Sequence, residues 1–120
     1  MSGLNVSLMY RIEDGSKVET YNELVDQLVD ILDQNGMVAW YKEGRYDFCN
    51  HKFEVTIYSK VRWVKQLTVR KLFGFRREYE DDPEVTPNPE GAFESMTKHL
   101  EEFKQAHGKE IYRHIWADER

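Results

Sequence analysis

Hydrophobic and polar residues alternate strictly near the start of the chain. Leu4, Val6, Leu8, Tyr10 and Ile12 fall on one side, with Asn5, Ser7 and Arg11 on the other. A period of two predicts a half-buried strand, and Glu13-Asp14-Gly15-Ser16 ends it with turn chemistry. From Thr20 to Gly36 the period lengthens to that of a helix. Tyr21, Leu24, Val25, Leu28, Ile31 and Leu32 make its apolar stripe. Thr20 and Glu23 have capping-box spacing, and Asn35-Gly36 supplies a left-handed stop.

Met37 to Lys42 then reads as a short strand, Glu43-Gly44 as a tight turn, and Arg45 to Phe48 as a strand pairing back. Cys49-Asn50-His51 is a further turn. From Phe53 the odd positions are apolar once more: Phe53, Val55, Ile57, Val61, Trp63, Leu67, Val69, Phe73 and Phe75. The run is too long for one strand, so a break is expected near Ser59-Lys60 or Lys65-Gln66. All three prolines lie between Asp81 and Gly91, which reads as a loop. Asn88-Pro89 starts a second helix with an Asn cap and a first-turn Pro. Phe93, Met96, Leu100 and Phe103 are its expected buried stripe, and Gly108 its end. Glu110 to Trp116 reads as a final strand, with a short helix as the alternative. Ile111, Arg113 and Ile115 share one face of it, and Tyr112, His114 and Trp116 the other.

Strand, helix, several strands, helix, strand is the order of an α+β fold. It predicts a ferredoxin-like βαββ(β)αβ antiparallel sheet with two helices packed on one face, in a single domain over residues 1–120. Such an architecture hosts enzymes, RNA binders and regulators alike, so function has to be sought in particular residues.

Composition narrows the setting. With 120 residues and 40% apolar content, one hydrophobic core is sustainable without staples. The one cysteine, Cys49, cannot form an internal disulfide. No apolar run approaches the ~18 residues of a membrane helix, and Met1-Ser2-Gly3-Leu4-Asn5 lacks the basic start of a secretion signal. A cytoplasmic protein with no membrane association is expected.

The net charge of −5 opposes non-specific attraction to nucleic acid, but its distribution is uneven. Glu19, Glu23, Asp26, Asp30 and Asp33 follow at intervals of four, three, four and three, which aligns them along one helix ridge. No Lys or Arg lies between Val18 and Tyr41 to neutralise them. A solvated helix face explains such a row, and so does a docking ridge for a basic partner. Conversely, Val55 to Arg77 contains no acidic residue. Lys60, Arg62, Lys65, Arg70, Lys71, Arg76 and Arg77 alternate there with Tyr58, Trp63, Phe73 and Phe75. Cations for phosphates and rings for bases are the two parts of a single-strand-binding sheet. Phe73-Gly74-Phe75 resembles the centre of the main sheet signature of the RNA-recognition motif, while Leu72, Arg76 and Glu78 depart from it. Strand alternation alone also accounts for the pattern, with aromatics in the core and cations outside.

Catalytic signals are weak. Cys49 and His51 stand two apart, a spacing that shares a face only in a strand. No Cys/His cluster has zinc spacing and no glycine loop cradles phosphate, so no catalytic residue, metal or cofactor is expected. The leading expectation is a small acidic regulatory protein acting by stoichiometric binding, an inhibitor or immunity-type antagonist of a protein partner with a basic surface, a nucleic-acid-handling protein being one example. Glu19, Glu23, Asp26, Asp30 and Asp33 are its contact charges, with Tyr21 or Trp40 as anchors if exposed. The alternative is a single-stranded nucleic-acid-binding module using Lys60, Arg62, Trp63, Lys65, Arg70, Lys71, Phe73, Phe75, Arg76 and Arg77. A small enzyme with an unrecognised site stands third.

Overall fold

The computed structural model describes residues 3–61, 65–71, 74–80 and 87–118. In chain order they form β1 (Gly3–Arg11), a 3-10 turn (Gly15–Lys17), α1 (Val18–Gln34), β2 (Met37–Asp47), β3 (Lys52–Val61), β4 (Lys65–Lys71), β5 (Gly74–Glu80), α2 (Pro89–His107) and β6 (Glu110–Asp118). One sheet has the strand order β2-β3-β1-β6, with every neighbouring pair antiparallel. β4 and β5 make a separate antiparallel hairpin. The fold class is α+β, with two helices and a four-stranded antiparallel sheet. No described helix is long and apolar enough to cross a membrane.

Alternation in β1 decides which side of the sheet is covered. Leu4, Val6, Leu8 and Tyr10 are buried, and they form one cluster with Phe53, Val55 and Ile57 of β3. Both helices seal that side. α1 contributes Tyr21, Leu24, Val25, Leu28 and Leu32, and α2 contributes Ala92, Met96, Leu100 and Phe103. The rings of Tyr10, Tyr21 and Phe103 meet mutually at centroid distances of 5.2 to 5.5 Å, the tilted contacts that aromatic pairs prefer. The helix ends are tied together where the Asn88 backbone N–H donates to the Asn35 carbonyl at 2.8 Å. Arg113 fastens β6 to α2 by donating to Glu110 on its own strand and to Glu101 on the helix, each at 2.8 Å.

Several expectations are corrected. β2 runs unbroken from Met37 to Asp47, so Glu43-Gly44 is not a turn. A Cβ on Gly44 would stand 3.0 Å from Val25 Cγ2 and 3.1 Å from the Phe53 ring. The glycine is there so that α1 and β3 approach closely, which reads from sequence like a turn. The turn expected at Cys49-Asn50-His51 is present, over Phe48–His51, where the Asp47 carboxylate accepts from the backbone N–H groups of Cys49 and Asn50. α1 starts at Val18, which places Thr20 inside the helix and leaves the capping box unused. Asp14 instead caps the preceding 3-10 turn by accepting from the Ser16 N–H at 3.0 Å. Asn88 does cap α2, accepting from the Gly91 N–H at 3.1 Å. Phe93, expected in the buried stripe, is 44% exposed, and Ala92 is buried in its place. Ser59-Lys60 lies within β3, which extends to Val61, and Lys65-Gln66 opens β4, so neither expected break point interrupts a strand. The final strand is as expected and runs over Glu110–Asp118, so the helix alternative falls away.

Candidate functional site

The second side of the sheet has no described helix over it. Register places its residues in cross-strand rows. Tyr41, Tyr58, Asn5 and Trp116 form one row, Glu43, Thr56, Ser7 and His114 the next, and Arg45, Glu54, Met9 and Tyr112 a third. The sequence builds this side from the polar phase of each alternating strand. On β2 and β6, however, that phase carries aromatic residues.

A β-bulge sharpens the effect. The pairing of β2 with β3 slips by one residue between Ala39 and Tyr41, so Trp40 is an extra residue and the strand changes phase. Two rings therefore stand side by side opposite Tyr58. Trp40 stacks on Tyr58 with centroids 5.4 Å apart and planes 26° from parallel, and Tyr41 lies 5.5 Å from the same ring. The slip also sends Lys42 to the helix side, where its Nζ lies 3.6 Å from Asp26.

The rings continue across the sheet. Tyr58 meets Trp116 edge-on at 6.5 Å, Trp116 stacks on His114 at 4.6 Å, and His114 meets Tyr112 at 6.3 Å. Six aromatic side chains thus connect edge strand β2 to edge strand β6. Trp40 is 60% exposed, Tyr112 46% and Tyr41 40%. β1 lies between them with the smaller Asn5, Ser7 and Met9. There the surface dips into a depression of about 310 Å³ whose lining includes Ser7, Met9, Glu54, Thr56 and Tyr112.

Charge on this side is balanced, in contrast to the helix layer. Arg11, Arg45, Lys52 and Lys60 share the face with Glu43, Asp47 and Glu54 by register. Arg45 Nη2 donates to Glu54 Oε2 at 3.1 Å. The Tyr41 hydroxyl donates to the Glu43 carboxylate, and that hydrogen bond, with Glu43's charge and some desolvation, raises the Tyr41 pKa. The helix side carries the acid: α1 has five carboxylates and no cation, and α2 has four against two lysines.

Sequence-predicted residues distribute as follows. Glu19, Glu23, Asp26, Asp30 and Asp33 all lie on α1 and are exposed. The row is not free of cations, since Lys42 reaches Asp26 from β2. Of the two proposed anchors, Trp40 is exposed, whereas Tyr21 is a 3%-exposed core residue. Lys60 is exposed near the end of β3. Lys65, Arg70 and Lys71 stand on β4, and Phe75, Arg76 and Arg77 on β5, with Arg70 paired to Phe75 and Val69 to Arg76. Arg62, Trp63 and Phe73 lie outside the described residues. The hairpin shares no strand pairing with the ring-bearing sheet.

The ring row across β2, β3 and β6 is what sequence reasoning missed. Its signal was present in Tyr112-x-His114-x-Trp116 on one phase of β6, and in Trp40-Tyr41. Only the sheet order shows that these segments share a face.

The Cys49–His51 pair does not come together as a strand-face pair would. Cys49 is exposed and His51 lies in the same turn, with φ of 55°, so the two do not share a strand face. His99 is hydrogen-bonded to Gln27 at 2.7 Å, joining the helices. Among the described residues no group of His, Cys, Asp and Glu converges as a metal site requires. Comparison with protein-family models, with curated proteins and with solved structures finds no match.

Proposed function

We propose that this protein is a single-stranded nucleic-acid-binding module whose working surface is the uncovered side of the β2-β3-β1-β6 sheet. The observation that carries the reading is the row of six aromatic side chains crossing that side from edge to edge. Rings exposed on a sheet offer flat surfaces to unpaired bases, and each such stack contributes about 1–3 kcal/mol. Three strand spacings separate β2 from β6, about 14 Å, a reach suited to a few unstacked nucleotides.

The backbone of the ligand also needs cations. Lys60 follows Tyr58 on β3, and the acid-free segment from Val55 to Arg77 continues into the β4–β5 hairpin. The overall negative charge does not oppose this arrangement. Nine of the 22 carboxylates lie on α1 and α2, behind the sheet, where at physiological salt their field decays over about 8 Å, and on the ring side Arg11, Arg45, Lys52 and Lys60 outnumber Glu43, Asp47 and Glu54.

The strand order with two crossover helices is the reason we read the architecture as ferredoxin-like, with β4–β5 inserted between β3 and α2. With Cys49 the only cysteine, the cytoplasm is the location we propose.

The test is anisotropy of labelled oligouridylate and oligothymidylate of about ten nucleotides, within the usual site size of such modules. Binding is expected to weaken steeply between about 50 and 200 mM salt. Trp40→Ala and Trp116→Ala should each weaken it by about ten-fold at fixed salt. Absence of binding at low salt, or indifference to both ring deletions, overturns the reading.

A second reading has its own observation: five exposed carboxylates along one helix, on the layer away from the rings. They suit an antagonist that covers a basic surface of a nucleic-acid-handling protein. Changing Asp26, Asp30 and Asp33 to Asn should abolish capture of such a partner, and an unchanged partner list counts against it.

A further inference from the structure

We infer that the depression beside Glu54 is a base-reading subsite, and that the base it selects is guanine. The inference rests on the nucleic-acid reading above and adds sequence preference to it.

Bases stacked on rings are held without regard to identity, because every base has a flat face. Identity is read at the base edge by donors and acceptors. Along the ring row, the polar groups are the Asn5 amide, the His114 imidazole and the tyrosine hydroxyls, with no unpaired carboxylate among them. The Tyr41 hydroxyl and the Glu43 carboxylate engage each other. The depression differs. Its volume of about 310 Å³ sits at the lower end of small-ligand sites, and it combines an apolar surface with a carboxylate.

Register sets the arrangement. Met9 is the cross-strand partner of Glu54 on one side and of Tyr112 on the other. A base lying over Met9 therefore has an aromatic ring at one edge and a carboxylate at the opposite one. Ser7 and Thr56, themselves cross-strand partners, bring hydroxyls to the next row. The hydrogen bond from Arg45 to Glu54 Oε2 holds the carboxylate across the face. An ionised carboxylate only accepts, and it has about four lone-pair sites, so capacity for a ligand remains.

Carboxylate geometry then chooses among the four bases. Guanine presents two adjacent donors, N1–H and the N2 amine, that match two carboxylate oxygens. Adenine and cytosine each present one amine next to a ring acceptor that would face the second oxygen. Uracil presents one N–H flanked by two carbonyls. Guanine alone satisfies both oxygens without an acceptor opposed to an acceptor. Because the Glu54 side chain is 40% exposed, the expected preference is about ten-fold, within the range of bidentate base contacts.

The experiment uses short oligouridylates that are unsubstituted, carry one central guanosine, or carry one central inosine. Wild type should bind the guanosine oligomer about ten-fold more tightly than the all-uridine one. Inosine, which lacks only the N2 amine, should lose most of that gain. Glu54→Gln should abolish the preference while leaving all-uridine affinity equal or higher, because a negative charge leaves the face. Its unfolding midpoint, measured alongside, should match wild type. Equal affinity of wild type for guanosine and uridine oligomers, or a preference that survives Glu54→Gln, overturns the guanine assignment while the ring platform stands. Failure of every oligomer to bind overturns both.

Discussion

The two sides of the β2-β3-β1-β6 sheet come from the same alternation and do opposite things. On one side Leu4, Val6, Leu8 and Tyr10 meet Phe53, Val55 and Ile57 beneath two helices. On the other, Asn5, Ser7 and Met9 lie among Trp40, Tyr58, His114 and Trp116 with no described helix over them. A period of two assigns each residue to a side, but it does not say which side is for folding and which for binding. The covering helices decide that. Their apolar stripes face one side only, so the aromatic residues on the other contribute surface instead of core. Stability and recognition are thereby separated across one layer of backbone, and substitutions on the two sides should differ in kind.

Leu28→Ala against Trp40→Ala is the widest contrast. Leu28 is fully buried in α1, and its truncation should lower unfolding free energy by about 2–5 kcal/mol, through lost burial and a residual cavity. Trp40 is larger but lies mostly in solvent, so its truncation should cost about 0.5 kcal/mol or less. Urea titrations of the two variants measure the difference. Comparable losses would mean that the rings are part of the core and that the two sides are not functionally distinct.

Gly44→Ala probes the covered side from the strand. The new methyl would press on Val25 Cγ2 and the Phe53 ring at 3.0 and 3.1 Å, and both side chains are buried in the core. Overpacking of this kind costs about 1–3 kcal/mol. The same change leaves the ring row on the opposite side untouched. Oligonucleotide affinity of the folded variant should therefore equal that of wild type, measured well below its denaturation midpoint. A drop in affinity would show that α1 packing and the ring platform are coupled through β2.

What the chain discloses about itself follows the same division. β1, both helices and β6 were legible because their periodicity is uninterrupted and their ends carry Gly36, Asn88, Pro89 and Gly108. β2 was misread because Gly44 has two physical uses, turning a chain and admitting a close neighbour, and local sequence does not distinguish them. The acidic row of α1 was legible because helical spacing is local. The ring platform was not, because Trp40, Tyr58 and Trp116 become neighbours only when β3 and β6 pair on opposite edges of β1. The bulge at Trp40 hid it further, since strict alternation would put Tyr41 on the helix side and Lys42 among the rings. Long-range strand order is not encoded in periodicity.

The smallest expected effect tests how completely the covered side is sealed. Tyr10 is fully buried, and its hydroxyl has no hydrogen-bond partner among the described residues. Burial first, and then the negative charge of Glu110, push its pKa well above the ordinary value of 10.0. Burial raises the neighbouring Tyr21 in the same direction. A folded-state pKa raised above the unfolded one gives stability that is intact below pH 10 and is lost as pH rises beyond it. The unfolding midpoint should thus hold steady through neutral pH and fall in the alkaline range. Tyr10→Phe removes the unpartnered hydroxyl while keeping the ring against Tyr21 and Phe103. It should leave stability at neutral pH unchanged or raise it by about 1 kcal/mol, because a buried polar group without a partner is costly. The alkaline decline should become shallower, with Tyr21 left to titrate. Thermal melts at neutral pH and above pH 10 check both. If Tyr10→Phe lowers stability at neutral pH by about 1 kcal/mol, the hydroxyl has a bound partner such as water, and the helix-covered side is not sealed by apolar packing alone.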